Sequence, residues 1–523
     1  MRDKKHLSNT IIRNLALLVP LIMFALGITL LFTWDKGFKI TALQEESVAE
    51  PVSEAPAARS ETGKVRPAAF ADRFYPAEEK ELYGMVEALL HKRQPLGLPD
   101  CRSVLVPHAG YVYSGEVAAA GFREVGRFNR VFIMAANHNG EAKFSGVSIP
   151  DATHYAIPGH EIPLAAAADE LLNDPLFISE PLAHTMHMIE IELPFLQALQ
   201  QKGKEPGFAI VPLILGRLDR EEIGHLAAVL DSYDDGQTLF VFSADLSHFY
   251  PASKARSLDA QTIQAVMSMD DQALDNATTD GNHVLLTMLE LAEINGWEPT
   301  MLQYKNSGDV SGDLTRVVGY AAIAFHKPIE LSTAEQDELL RLARSAIAEH
   351  LTKDKSPGIG NDAGLLHPIL QVPRGVFVTL KKNGRLRGCI GSLLPGDSLI
   401  TEVQDCAIKA ATLDRRFTPV TREELDELTL SISVLSYPRQ VKVAGPKEYP
   451  QVIRPGRDGI ILLHQGRSST YLPQVWNDLP EPVAFLSRLC EKQGATADCW
   501  QDAETKIYRY EAFEFGEKTG NAM

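Results

Sequence analysis

Cysteine is scarce in this chain: five in 523 residues, with no Cys-x-x-Cys pair. That excludes a disulfide-built scaffold and a structural zinc ribbon. A basic stripe is also missing beyond the first residues, and the formal net charge is -17. Nucleic acid is therefore excluded as the main partner. There is no internal repeat, which rules out a solenoid or propeller. With 45% hydrophobic residues the chain has ample material for full cores, and its length allows two or three domains.

Long apolar runs are present, and their placement is informative. Leu15 to Trp34 is uncharged and apolar throughout, long enough to span a bilayer as a helix. Arg2, Lys4, Lys5 and Arg13 precede it. The positive-inside rule predicts a cytoplasmic N-terminus (1–14), a single-pass anchor (15–34) and extracytoplasmic domains; a cleaved signal peptide is the rival, but its apolar core should be shorter and no small-x-small cleavage site follows. The membrane is thus one expected partner. Residues 35–65 hold an Ala-, Glu-, Ser- and Pro-rich stretch that reads as a disordered linker.

From about Arg66, strand-like and helical segments alternate, which predicts an α/β domain over 66–326. Three apolar runs there end on a histidine. Ser103-Val104-Leu105-Val106 leads to His108, Val131 to Ala136 leads to His138, and Thr238 to Phe242 leads to Asp245, Ser247 and His248. Such runs read as strands buried on both faces of a parallel sheet, whose ligand crevice lies beyond the carboxyl ends of the strands. Two histidines and one carboxylate are the facial set used by non-haem Fe(II) sites. His108, His138 and Asp245 are the expected ligands. Zn accepts the same donors, and an empty site is the remaining alternative. His187 or His248 is then free for proton transfer. In His184-Thr185-Met186-His187-Met188-Ile189-Glu190, a helix puts His187 and Glu190 on one face, making Glu190 a further catalytic candidate.

A boundary falls near Lys327-Pro328, where Ser332 and Glu335 offer a capping box to a helix. A smaller α+β domain follows over 327–517, with a tail at 518–523. Cys389, beside Arg385 and Arg387 in Gly384-Arg385-Leu386-Arg387-Gly388-Cys389-Ile390-Gly391-Ser392, is either a reactive thiol or a buried strand residue. Arg415 and Arg416 are either an anion-reading patch or a surface ion-pair cluster. Cys490 and Cys499 can pair if that domain is extracytoplasmic.

Arg73-Phe74-Tyr75-Pro76, Pro107 to Gly115, Asn137-His138, Ile189 to Phe195, Ser243 to His248 and Val318 to Ala322 together resemble the Memo-like family, which is similar to class III extradiol dioxygenases. The resemblance implies a metal pocket with His108 and His138 as ligands, His187 as the catalytic histidine, and Tyr111 and Ser247 as binding residues. Some family members carry Cys where Ser247 stands, so either Asp245 substitutes, the metal is held weakly, or the site is vestigial. Leu386 to Gly391, Asp414-Arg415-Arg416-Phe417, Ile432 to Leu435, Arg457 to Ile460 and Tyr471 to Trp476 resemble the AMMECR family, with Arg387, Cys389, Arg415 and Arg416 as binding candidates. A chain joining the two is similar to proteins A and B of the AmmeMemoRadiSam system. That implies a radical SAM protein as partner, since this chain has no Cys-x-x-x-Cys-x-x-Cys motif. Two functions are in view: a metal-dependent redox or dioxygenase-like enzyme, and a non-catalytic scaffold for the radical SAM partner or a small molecule. Oxygen-sensitive clusters are typically cytoplasmic, which conflicts with the expected topology.

Overall fold

A computed structural model describes residues 64–200, 207–352 and 367–517. Two compact units emerge among these residues: one takes in 64–439 and 512–517, the other 440–511.

The larger unit is built on a mixed sheet. Its centre holds β1 (Ser103–Val106), β2 (Arg130–Ala136), β3 (Ala209–Leu215), β4 (Thr238–Ser243) and β5 (Val317–His326), in the spatial order β5-β1-β4-β2-β3. β1, β4, β2 and β3 run parallel, and β5 closes antiparallel on β1. The apolar runs have no polar alternation because both faces are covered. Val104, Val106, Ile133, Val241 and Ala322 pack in one core, beneath the helices Glu79–Leu90 and Tyr111–Phe122. Leu105, Phe132, Met134, Phe240, Phe242 and Phe325 pack in the other, against Arg220–Asp231 and Asn282–Asn295. Each of the phenylalanines, fully buried, contributes about 1.5–3 kcal/mol.

The residue pattern of Ala77 to Lys92 predicts a helix, and Glu79–Leu90 forms there; that of Arg220 to Leu230 predicts another, and Arg220–Asp231 forms there. The region around Glu190 differs. No continuous helix forms there: two short 3-10 stretches, Pro181–Thr185 and Glu190–Glu192, flank an extended Met186.

The same unit continues through the expected capping box. Ser332 N–H donates to Glu335 at 2.7 Å, Glu335 N–H returns to the Ser332 hydroxyl, and the helix Thr333–Thr352 follows. It packs with Leu399–Thr412 on a four-stranded sheet in the order Arg385–Ser392, Val376–Lys382, Leu428–Leu435, Ala512–Gly516. A buried ion pair, Arg374 to Glu298 at 2.8 Å, ties this layer to the first sheet. In the smaller unit Gly459–His464 pairs antiparallel with Arg467–Tyr471 and Lys506–Tyr510. The helix Pro482–Lys492 covers these strands, and Cys490 is bonded to Cys499.

No helix among the described residues is long and apolar enough to cross a membrane. Even Thr333–Thr352 carries charge in its first and last turns. The expected anchor at 15–34 lies outside the described residues. The architecture is therefore corrected to a mixed α/β chain. The transmembrane helix, the single-pass location and the membrane as partner have no support in the structure.

A candidate metal centre at the carboxyl edge of the sheet

Parallel register brings the three strand ends into line. Val106 of β1 and Ala135 of β2 both lie opposite Ser243 of β4. His108 is two residues beyond β1, His138 two beyond β2, and Asp245 two beyond β4. His248 opens a short strand paired with β5 at Val318.

The two ligand candidates meet on a residue the sequence analysis missed. His108 Nε2 and His138 Nε2 each lie 3.1 Å from Asp280 Oδ2, and His248 Nε2 lies 3.7 Å from it. Asp280 sits in the loop before the helix Asn282–Asn295, on no strand end. The loop is held to the β4 terminus. Asp245 N–H donates to Asp280 Oδ1 at 3.0 Å, and Thr279 Oγ1 donates to the Asp245 carbonyl at 2.7 Å. A Cβ on Gly281 would lie 2.6 Å from Ala244 Cβ, so only glycine permits this approach.

The outer nitrogen of each ring is tied. His138 Nδ1–H donates to the Ala136 carbonyl at 3.0 Å and His248 Nδ1–H to the Leu246 carbonyl at 2.9 Å. His108 Nδ1 meets Ser243 Oγ at 3.0 Å, and that hydroxyl donates to buried Glu192 at 2.8 Å. With its proton on Glu192, Ser243 is left to accept from His108. All three Nε2 atoms therefore face Asp280, each protonated against the carboxylate or free as a lone pair. Tied outer nitrogens are how metal-binding histidines are oriented. His108, His138 and Asp280 have donor atoms within 4.8 Å of one another, as do Asp245, His248 and Asp280.

Charge follows the geometry. Burial alone lowers His108, but the Asp280 and Asp245 carboxylates outweigh it and lift His108 to about 9. Burial works against ionising Asp280, yet His108 and His138 hold its carboxyl well below the usual range. Burial raises Asp245 to about 6, with the Asp280 charge adding to it. Burial also raises Glu192, to about 8. His187 is pushed down to about 3 by burial and then by His108 and His138. It is a neutral imidazole, its ring 5.4 Å from His108 and 4.3 Å from Phe74, with no partner for Nδ1.

Other expected residues are engaged elsewhere. Asp245 Oδ1 accepts from the His108 amide at 2.9 Å, so it shapes the loop and belongs to the second donor set. Glu190 takes four hydrogen bonds, from Arg66 (2.5 Å), Ala69 N (3.1 Å), Phe70 N (2.8 Å) and Tyr75 OH (2.6 Å). That binds 66–75 to the domain and occupies Glu190 with partners other than His187. Ser247 is fully buried, its amide donating to Asp259. Tyr111 is in the core, its hydroxyl donating to the Ile191 carbonyl at 2.6 Å.

In the second sheet, Cys389 lies on an edge strand whose outward groups are capped. Its N–H donates to Asp414 at 2.8 Å and its carbonyl accepts from Arg416 at 3.1 Å, while Arg416 grips Asp414 through two bonds. Arg387 is bound to Glu424 and to the Thr418 carbonyl. Arg415 is exposed.

The Memo-like protein family matches residues 66–324 and the AMMECR1 family residues 340–515. A MEMO1 family protein of Methanosarcina acetivorans is 34% identical over 50% of this chain and 98% of its own length. The chain belongs to the MEMO1 family, with an AMMECR1 domain fused behind it. Over 36% of its length the chain is 42% identical to a protein of Methanothermobacter thermautotrophicus, 96% of which is covered. Over 35% of its length it is 38% identical to an uncharacterized Pyrococcus horikoshii protein of known crystal structure, 91% of which is covered, with a TM-score of 0.33. The strand-end cluster thus lies wholly in the Memo-like domain, and Cys389 with its arginines in the AMMECR1 domain.

Proposed function

We propose that the Memo-like domain is a metal-dependent redox enzyme, dioxygenase-like in its centre, with His108, His138 and Asp280 holding a divalent ion. The observation that carries this reading is the convergence of two Nε2 atoms on one carboxylate oxygen, each at 3.1 Å, with both Nδ1 atoms tied outside. Two imidazoles and one carboxylate on one side of an open position fit Fe(II); the same donors accept Zn. The bound ion would supply Lewis acidity, and as Fe(II) the capacity for redox chemistry with oxygen.

The protein's own residues do the rest. Neutral His187, across the pocket from His108, takes a proton from a bound substrate and returns it. Phe70 and Phe74 pack against its ring and limit water around it. Glu192 acts through Ser243 as a positioning residue, fixing His108.

Metal analysis of anaerobically purified protein tests this. Wild type is expected to carry Fe(II), and His108→Ala and His138→Ala to lose at least ten-fold in affinity. Unchanged metal content in both variants would sink the reading.

A further inference from the structure

Asp280 belongs to two donor sets. One is the set just described; the other is Asp245, His248 and Asp280, its donor atoms also within 4.8 Å of one another. The sets share Asp280 and no other residue. Divalent first-row ions hold nitrogen and oxygen at about 2.0–2.2 Å, so a small inward shift of donors spread over 4.8 Å closes either triangle on an ion, and the two triangles meet at Asp280.

Orientation supports the second triangle independently. His248 Nδ1–H is held by the Leu246 carbonyl, which turns Nε2 towards Asp280. Asp245 uses Oδ1 on the His108 amide. Among the described residues, none donates a hydrogen bond to its Oδ2.

Charge points the same way. Asp245, Asp280 and Glu192 are three carboxyl groups at one sheet edge, Asp245 and Glu192 both buried. Among the described residues Asp280 pairs with His108, His138 and His248 and with no lysine or arginine. Neither Asp245 nor Glu192 has a lysine or arginine partner there. Among the described residues, histidine is thus the one cationic side chain paired with Asp280 at this edge. His248 is about one-third exposed, so the second position is open to solvent.

We infer that this centre is dinuclear, with Asp280 bridging a first divalent cation on His108 and His138 and a second on His248 and Asp245. The inference rests on the proposed function for its first ion only. Two metals on one carboxylate bridge orient and activate a substrate oxygen between them.

Full-length protein, made metal-free and titrated with Mn(II), tests this by bound-metal stoichiometry and by electron paramagnetic resonance. Two equivalents per chain are expected, with a coupled-pair signal. His248→Ala and Asp245→Asn are each expected to bind one equivalent, with the coupling lost. Asparagine keeps the oxygen that accepts the His108 amide, so Asp245→Asn guards against a folding artefact. One equivalent in wild type, unchanged in His248→Ala, would overturn the pair and leave the His108–His138–Asp280 site standing. No bound Mn(II) in wild type would overturn both.

Discussion

Glu190 shows what a single side chain does when its surroundings are complete. It is fully buried, opposite an Arg66 side chain only 9% exposed. Replacing its carboxylate with an amide leaves that guanidinium without its counter-charge and removes an acceptor from at least one backbone N–H. Glu190→Gln is expected to cost about 3 kcal/mol in chemical denaturation; a loss under about 1 kcal/mol would contradict the assignment. His184 makes a pH-dependent contribution. Its ring lies between the hydroxyls of Ser148 (3.0 Å) and Tyr155 (3.1 Å), and burial lowers it to about 3. The unfolded chain takes up a proton at this residue near pH 6.5, and the folded chain does not. Neutral His184 therefore contributes fully above pH 6.5, and the contribution falls as pH drops from 6.5 towards 3, by up to about 1.4 kcal/mol per unit. The stability advantage of wild type over His184→Gln should narrow between pH 7 and pH 4. A constant difference would show that the ring titrates normally.

At the scale of elements, the loop Thr279–Gly281 decides whether the centre exists. It carries Asp280 to the sheet edge by pressing against Ala244. Gly281→Ala should push it away and weaken metal binding by roughly ten- to a hundred-fold, as outer supports of metal ligands do, with the unfolding midpoint shifted far less. Unchanged affinity would mean that the loop has slack. This element also marks where the sequence stopped being legible. His108 and His138 could be read because each ends an unbroken apolar run, and such runs at parallel strand ends share one edge. Asp280 ends no strand; it sits before a helix, and only tertiary contact with Asp245 brings it in. The Glu190 expectation failed differently. It assumed helical spacing from His184 onward; Met186 is extended and interrupts it, a turn does form from His187 to Ile191, and Glu190 is taken up by Arg66, Tyr75 and two backbone amides.

For the whole molecule, the family motifs were enough to find the Memo-like and AMMECR1 regions, while the division of the described residues into compact units at 439/440 was not legible. They were not enough for the N-terminal run. Its hydropathy satisfies a membrane rule, but it lies outside the described residues, and no described helix is long and apolar enough to cross a bilayer. What unites the chain's first half is that β1, β2 and β4 deliver histidines and carboxylates to one edge, where Asp280 gathers them. Iron content of the anaerobically purified full chain, wild type against Asp280→Asn, addresses that claim most directly, because Asp280 belongs to both donor sets. The account predicts bound iron in wild type and essentially none in Asp280→Asn, with the variant still folded by circular dichroism. Equal iron in the two proteins would contradict it.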